Sequence, residues 1–266
     1  MNTFEDQMGR IITLEKSPER IVSLVPSQTE LLFDLGLKDR IVGITQFCTE
    51  PSKDTRGKPK IGGTKYVKWK HLHDLNPDLI IGNKEENDEK TIQDLAAKYP
   101  VWLSDIATIG DSINMIQQLA KITETEYIAE KIMTSIEQEF NEIQTLPRPE
   151  VSAVYLIWRE PWMCVGRHTF IHYMMELAGF INCMHHIPRY PNVTISDINR
   201  LNPSYILLSS EPFHFRREHY EELRAAIPFA KIIPVDGMAF SWYGSRLVKG
   251  LREIKRIRKF LLDEKK

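Results

Sequence analysis

Aromatic residues recur in this sequence directly after short apolar segments of the kind that form buried strands. A ring at the end of a strand can stack on a flat ligand and shield it from water. Each ring taken alone fits the core of a domain equally well, so their shared position is what indicates a binding surface. The candidates are Phe47, Tyr66, Trp158, Trp162, Phe240, Trp242 and Tyr243.

Charged residues occupy comparable positions and could supply polar contacts to the same ligand. Glu85 follows the apolar segment 79–81, and Lys65 lies in the turn that precedes Tyr66. Arg159 and Arg246 stand close to candidate rings, and a guanidinium suits carboxylate, amide or phosphate groups. The alternative for each of them is a solvated turn or a surface ion pair.

Histidines are the residues that raise the question of a metal site. His168 and His172 are four residues apart and could chelate one ion on a helix, while His185 and His186 are adjacent. No spaced set of carboxylates or thiolates accompanies them, as a zinc or iron site would require. We therefore predict no metal site formed by protein ligands alone.

Motifs of the common enzyme classes do not occur in the chain. There is no Gly-x-Ser-x-Gly elbow, no P-loop and no Gly-x-Gly-x-x-Gly fingerprint. We predict a binding protein that is not an enzyme and has no catalytic residues. The alternative is an enzyme that acts on a cofactor, in which Glu85, Glu86 and Glu211 would be the first carboxylates to inspect.

A repeated pattern indicates how these residues are positioned. Segment 75–81 (LNPDLII) matches segment 201–207 (LNPSYIL), and the prolines, Pro77 and Pro203, are 126 residues apart. Around each copy, short apolar runs alternate with helical patterns, which is typical of parallel strands with crossover helices. The pattern predicts an α/β fold of two Rossmann-like lobes with a cleft that binds ligand. The alternative is a chance likeness between two unrelated βαβ units.

A long helical pattern separates the two halves. Thr123 and Glu126 match a capping box, apolar residues then recur every four positions, and Pro147 ends the pattern. A helix of about 22 residues would span about 33 Å and could join the lobes as a rigid rod. We predict lobes at 1–122 and 147–266 joined by a single backbone helix at 123–146. The alternative is a helix packed within one lobe.

A second capping box, Ser27 with Glu30, predicts the start of the first helix.

Composition limits the classes of function. The 266 residues carry a net charge of −1, which argues against a nucleic-acid-binding protein. No segment approaches the roughly 20 apolar residues of a membrane span, so no membrane insertion is expected. Three cysteines without metal spacing suit a reducing compartment. As written, the sequence predicts a cytoplasmic protein, or a periplasmic one if a signal peptide has been removed.

Four blocks of sequence resemble the helical-backbone class of periplasmic binding proteins, and most closely its cobalamin receptors. The blocks are 20–31, 42–45, 75–81 and 203–208, and the likeness extends from about Arg20 to Leu262. The resemblance implies no intrinsic cofactor and a ligand that is cobalamin or another metal chelate, held in the cleft between lobes. It also places Tyr190 where cobalamin receptors carry a tryptophan. A ferric-siderophore or haem receptor, and a cytoplasmic protein that handles such a cofactor without transport, remain open.

The chain departs from this class at the positions that the class uses to meet its transporter. Receptors of ABC importers carry one glutamate per lobe that docks against permease arginines, and the aligned positions here are Lys70 and Ser196. A lysine would repel a facing arginine. An ABC permease is therefore an expected partner only on the strength of the resemblance, and these two residues argue against it. The first-lobe tryptophan of cobalamin receptors is also replaced, by Thr64 or Lys65.

Overall fold

A computed structural model describes residues 1–264 as two compact units. Unit 1 contains residues 1–136 and 243–246, and unit 2 contains residues 137–242 and the chain from Leu247 onward. Both units are mixtures of helices and sheet, so the predicted α/β class is confirmed.

Unit 1 is built on a parallel sheet with the strand order β4-β3-β5-β6. Its central strand β5 is buried along its whole length, which explains why its sequence is an uninterrupted apolar run rather than an alternating one. A separate antiparallel pair, β1 with β2, lies at the N-terminus. The elements are β1 Asn2–Glu5, β2 Ile11–Leu14, β3 Ile21–Ser23, α1 Pro26–Asp34, β4 Ile41–Ile44, α2 Ser52–Thr55, α3 Trp69–Leu75, β5 Leu79–Asn83, α4 Glu89–Ala96, β6 Val101–Ser104, α5 Ile109–Thr123 and α6 Glu126–Gln144.

Unit 2 is built on a mixed sheet with the order β10-β8-β7-β11-β12, in which β9 also pairs with β7. Strands β7, β9, β11 and β12 are parallel to one another. At one edge, β8 pairs antiparallel with β7, and β10 pairs antiparallel with β8. The elements are β7 Val151–Trp158, β8 Trp162–Cys164, α7 Phe170–Ala178, β9 Phe180–Asn182, β10 Asn192–Val193, α8 Ile195–Leu201, β11 Tyr205–Ser209, α9 Arg217–Ala226, β12 Lys231–Val235, α10 Gly237–Ser241, the 3-10 turn Gly244–Arg246 and α11 Leu247–Asp263.

The repeated Leu-Asn-Pro sequence forms the same corner in both units. Asn76 ends α3 and Asn202 ends α8, each in the left-handed conformation with φ of 41° and 47°. Asparagine tolerates this conformation better than most residues, and the proline that follows prevents the helix from continuing. A fully buried strand, β5 or β11, begins two residues after each proline. The repeat therefore marks two equivalent helix-to-strand turns.

Both predicted capping boxes are wrong. Helix α1 begins at Pro26 with Val25 as its N-cap and no side-chain cap, because proline is preorganised for the first helical position. Thr123 is the last residue of α5, and Glu124 then ends that helix in the left-handed conformation before α6 begins at Glu126. The boundary between the two units falls within α6, after Ile136.

No helix within residues 1–264 is both long enough and apolar enough to span a membrane.

Candidate ligand-binding site

In unit 1, two half-exposed rings flank a glycine turn beyond the carboxyl end of β4. Phe47 is 52% exposed and Tyr66 is 50% exposed. A methyl group added at Gly63 would lie 2.9 Å from Tyr66 Cε1 and 3.2 Å from Phe47 Cε2. Both rings therefore pack against the glycine backbone, where a side chain would displace them. Together Phe47, Gly63 and Tyr66 form what we call the unit 1 ring pair.

The turn that follows β5 is fixed by its own hydrogen bonds. Asn83 Oδ1 accepts from the backbone N–H groups of Glu85 and Glu86, at 2.8 and 3.1 Å, and Asn87 Oδ1 accepts from the N–H of Asn83 at 2.8 Å. Lys65 Nζ donates to the Glu85 carbonyl oxygen at 2.9 Å, which joins this turn to the segment that carries Tyr66. The structure thus brings the predicted site residues Lys65, Tyr66 and Glu85 together at one edge of unit 1.

Two further predicted site residues, Tyr243 and Arg246, are embedded in unit 1. Arg246 Nε donates to Glu30 Oε2 at 2.7 Å, and both side chains are largely buried. Tyr243 is buried as well, and burial raises the pKa of its phenol well above the ordinary value, with Glu86 adding to the shift and the Ser27 hydroxyl opposing it. In this arrangement the two residues contribute to the packing of unit 1.

In unit 2, a cluster of rings lies beyond the carboxyl ends of β7 and β11. Trp158, 40% exposed, meets Phe213 edge-on with 5.4 Å between ring centroids. Phe213 in turn contacts Phe215 at 5.0 Å and His219 at 5.3 Å, and Phe215 stacks on the buried Trp162 at 6.0 Å. We call these five residues the unit 2 ring cluster; its outermost member, Trp158, offers a ring surface to solvent.

Sequence reasoning identified the two tryptophans but missed Phe213, Phe215 and His219. Their signal is the alternation Phe213-x-Phe215, which begins a few residues after β11 ends at Ser209, a position like that of the other candidate rings.

Arg159 is neutralised by a partner within unit 2. Its Nε and Nη2 atoms donate to Glu222 Oε2 and Oε1 at 3.1 and 3.0 Å, and its guanidinium carbon lies 4.7 Å from the centre of the Trp162 ring. This two-point ion pair holds the guanidinium over the ring.

The predicted residues Phe240 and Trp242 belong to a buried network under the sheet edge. Phe240 is fully buried against Tyr155, with 5.2 Å between ring centroids. Trp242 Nε1 donates to Glu211 Oε1 at 2.8 Å, and Ser241 Oγ donates to the same oxygen at 3.0 Å. These contacts give both rings a packing role in unit 2.

Tyr190 lies in a segment that pairs with the chain beside β8. The N–H of Gly166 donates to the Arg189 carbonyl at 2.7 Å, and the N–H of Cys164 donates to the Pro191 carbonyl at 3.0 Å. Tyr190 is half-buried and sits just before β10.

The sequence of residues 21–230 matches the family model of the periplasmic binding proteins. The chain belongs to this family. Because the family consists of ligand-binding proteins, the prediction of a binding protein rather than an enzyme is confirmed, and so is the stated resemblance.

Curated relatives of this periplasmic binding protein are similar to it along most of their length. An uncharacterized ABC transporter substrate-binding lipoprotein, YvrC, from Bacillus subtilis (strain 168) is 24% identical over 266 residues, which cover 95% of this chain and 83% of the relative. A vitamin B12-binding protein of Pectobacterium carotovorum subsp. carotovorum (strain PC1) is 22% identical, with coverage of 89% and 87%.

A solved structure confirms the fold. The periplasmic vitamin B12 binding protein BtuF of Vibrio cholerae superposes with a TM-score of 0.78 at 17% identity, covering 92% of this chain and 98% of its own. Haem-binding and molybdate-binding proteins share the fold as well. At such identities the likeness establishes the fold and leaves the ligand to be argued from the residues.

The histidines among residues 1–264 are spread over several elements. Among residues 1–264, no group of three or more His, Cys, Asp or Glu side chains is placed to hold a metal ion. His168 precedes α7 with a positive φ of 61°, whereas His172 lies within the helix, so the two do not share a helical face.

The two positions aligned with docking glutamates lie exposed on short helices. Lys70 is on α3 and Ser196 is on α8. The neighbouring acid, Asp197, is occupied by the capping box of α8: Thr194 and Arg200 bind its carboxylate. Hydrogen bonds from Thr194 and Arg200 lower the pKa of Asp197 to about 2. Asp197 thus caps its own helix.

Proposed function

We propose that this protein binds cobalamin or a related metal–tetrapyrrole chelate as a substrate-binding protein. The observation that carries the proposal is the presence of solvent-accessible rings beyond strand carboxyl ends in each unit: the unit 1 ring pair and, in unit 2, Trp158. A large flat macrocycle gains from stacking and desolvation on such rings. The vitamin B12-binding relatives support this choice of ligand.

The pairing of the candidate cationic side chains favours a corrin ligand over an anionic siderophore. A catecholate or other highly anionic chelate would need several available cations, and the candidates were Arg159, Arg189, Arg246 and Lys65. Arg189 Nη1 lies 3.5 Å from the His168 carbonyl oxygen. Arg159 is paired with Glu222 and Arg246 with Glu30, while Lys65 Nζ is bonded to a carbonyl oxygen. Their charges are thus largely neutralised or engaged within each unit, which suits a ligand of low net charge.

Titration of the purified protein with cyanocobalamin, haem and a ferric catecholate tests the proposal, with calorimetry as the readout. We expect saturable one-to-one binding of cyanocobalamin, and no binding of the catecholate. Tight binding of haem alone would move the assignment to a haem receptor. No heat with any of the three chelates would refute the ligand class.

Ring variants locate the contact. We expect Trp158→Ala and Phe47→Ala each to weaken binding about 30-fold, which corresponds to about 2 kcal/mol for a ring that is no longer buried against ligand. Tyr127→Ala is the matched control, because Tyr127 is an exposed ring on α6 at no strand end. If Trp158→Ala and Phe47→Ala bound the ligand as tightly as Tyr127→Ala does, the ligand would bind elsewhere.

Delivery to an ABC permease, and a location outside the cytoplasmic membrane, are supported by the substrate-binding lipoprotein among the relatives. Lys70 and Ser196 stand at the positions that align with the docking glutamates, which argues against docking onto two permease arginines. Cell fractionation with an antibody against the protein tests the location; recovery in the cytosolic fraction would contradict it.

A further inference from the structure

A cavity of about 460 Å³ in unit 2 is lined by imidazoles that the proposed ligand site does not use. His168 comes from the turn before α7, His172 from α7 itself and His185 from the loop after β9. Buried beneath them is Asn182, the last residue of β9, which is 1% exposed.

The amide of Asn182 has a defined orientation. Its Oδ1 accepts from the N–H of Met184 at 2.9 Å, and its Nδ2 donates to the carbonyl oxygen of Val165 at 3.0 Å. These backbone partners fix which atom of the amide is nitrogen. The second Nδ2 hydrogen is therefore donated to His172 Nδ1, 3.1 Å away. His172 Nδ1 must then be the acceptor, and the neutral imidazole carries its proton on Nε2.

Protonation of His172 removes this hydrogen bond. Both ring nitrogens of an imidazolium are donors, so an Nδ1–H would face the Nδ2–H of Asn182. The second amide hydrogen of Asn182 would lose this acceptor, which is costly for a side chain that is 1% exposed.

The surroundings of His172 oppose its protonation on balance, chiefly because the ring is partly buried. Burial lowers the pKa of His172; Glu176, whose Oε2 lies 3.8 Å from Nε2, raises it in part, and His185 and His168 lower it further. Arg167 lines the same cavity. Helices α10 and α11 also pack on α7, and Arg258 of α11 is bound to the Leu177 carbonyl at the far end of that helix.

The contact holds a segment that carries a predicted ligand residue. Val165, which Asn182 binds, is followed by Gly166 and Arg167, whose N–H groups donate to Arg189 and Ile187 carbonyls at 2.7 and 2.8 Å. A methyl group at Gly166 would lie 2.1 Å from the Ile187 oxygen, so the two segments pack closely at this point. A displacement of Val165 therefore reaches segment 187–191, which contains Tyr190.

We propose that the His172–Asn182 hydrogen bond is a proton-operated latch, which holds segment 187–191 in place when His172 is neutral and releases it when His172 is protonated. The effect on ligand affinity rests on the proposed function; the effect on the segment does not. Because the folded pKa is lowered, the unfolded chain takes up the proton first. The stability that the latch supplies is complete above about pH 6.5 and is lost as the pH falls from there through the folded pKa.

Two measurements without ligand test the latch. Nitrogen-15 spectra of the histidine rings at pH 7.5 should show His172 as the Nε2–H tautomer. Amide hydrogen exchange between pH 7.5 and 4.5, corrected for the intrinsic rate, should show protection of Gly166, Arg167 and Arg189 falling about tenfold, the size expected for one lost hydrogen bond. Amides of β11 should keep their protection over the same range.

Variants distinguish release of the latch from a general loss of stability at low pH. His172→Asn keeps an acceptor near the Nδ1 position and cannot be protonated, so the pH dependence of protection should disappear. His168→Asn is the control: it removes a neighbouring imidazole at a left-handed position that asparagine tolerates, and the pH dependence should remain. An Nδ1–H tautomer of wild-type His172, or an unchanged pH dependence in His172→Asn, would overturn the proposal. If His172→Asn does not fold, the wild-type tautomer decides.

Discussion

At the scale of single residues, charge pairing inside each unit decides which side chains remain available to a ligand. Glu30 lies on α1 and Arg246 lies 216 positions later, yet their side chains meet at 2.7 Å with Glu30 only 5% exposed. A guanidinium in such a position serves mainly to keep a buried carboxylate paired.

We expect Arg246→Ala to reduce the free energy of unfolding by about 3–5 kcal/mol, because it leaves the buried Glu30 carboxylate without its guanidinium. Urea denaturation followed by circular dichroism measures this. Arg252→Ala is the control: Arg252 pairs with Glu139 from a side chain that is 62% exposed, and its loss should cost about 1 kcal/mol or less. Similar losses for the two variants would contradict the buried pair, and Glu30→Gln should restore part of the stability of Arg246→Ala.

At the scale of elements, adjacent glycines in one turn have different tasks. Gly62 has a φ of 127°, and a methyl group there would lie 2.5 Å from the Tyr66 carbonyl oxygen, so backbone geometry demands glycine. Gly63 has no such constraint; an added methyl group would meet the rings of Tyr66 and Phe47. One glycine shapes the turn and the other makes room for the ring pair.

Alanine substitutions should separate these tasks. We expect Gly62→Ala to destabilise the protein by about 1–3 kcal/mol through backbone strain. Gly63→Ala should change stability by less than about 1 kcal/mol, since side-chain rings can move, but should weaken binding of the chelate because Phe47 and Tyr66 are displaced. Thermal denaturation and calorimetric titration of both variants give the comparison. Unchanged affinity in Gly63→Ala would remove the ring pair from the binding site.

At the scale of the whole molecule, the order of the chain differs from the order of the units. After Trp242 the chain leaves unit 2, contributes residues 243–246 to unit 1, and returns as α11. The inserted segment is anchored: the N–H of Gly244 donates to Ser112 Oγ at 2.9 Å, and Arg246 binds Glu30. Helices α10 and α11, which flank the segment, both belong to unit 2.

We therefore expect the two units to unfold together. Amides of the buried strands β5 and β11, one in each unit, should exchange with the same free energy of opening in native-state hydrogen exchange. If unit 2 unfolds, the helices on both sides of segment 243–246 are lost, and if unit 1 unfolds, α10 and α11 lose the anchored segment that joins them. Free energies that differ by more than about 1 kcal/mol between the two strands would show that the units unfold independently.

How far the sequence predicts the structure depends on how local each interaction is. The strands β5 and β11 were predictable because a helix end, a proline and an apolar run are encoded within ten residues. The capping box at Ser27 was wrong because Pro26 already begins the helix, and Glu30 pairs with Arg246, a contact that no local pattern reveals. The position of Phe213 after β11 is a local signal, but its contact with Trp158 joins residues far apart in sequence and could not be predicted.

The twin corners at Asn76 and Asn202 have a practical use in tracing distant relatives. Both are spelled Leu-Asn-Pro and both require a left-handed asparagine. Two such tripeptides, separated by about half the chain and each followed by an apolar segment, would indicate this architecture in sequences whose overall identity is too low to detect.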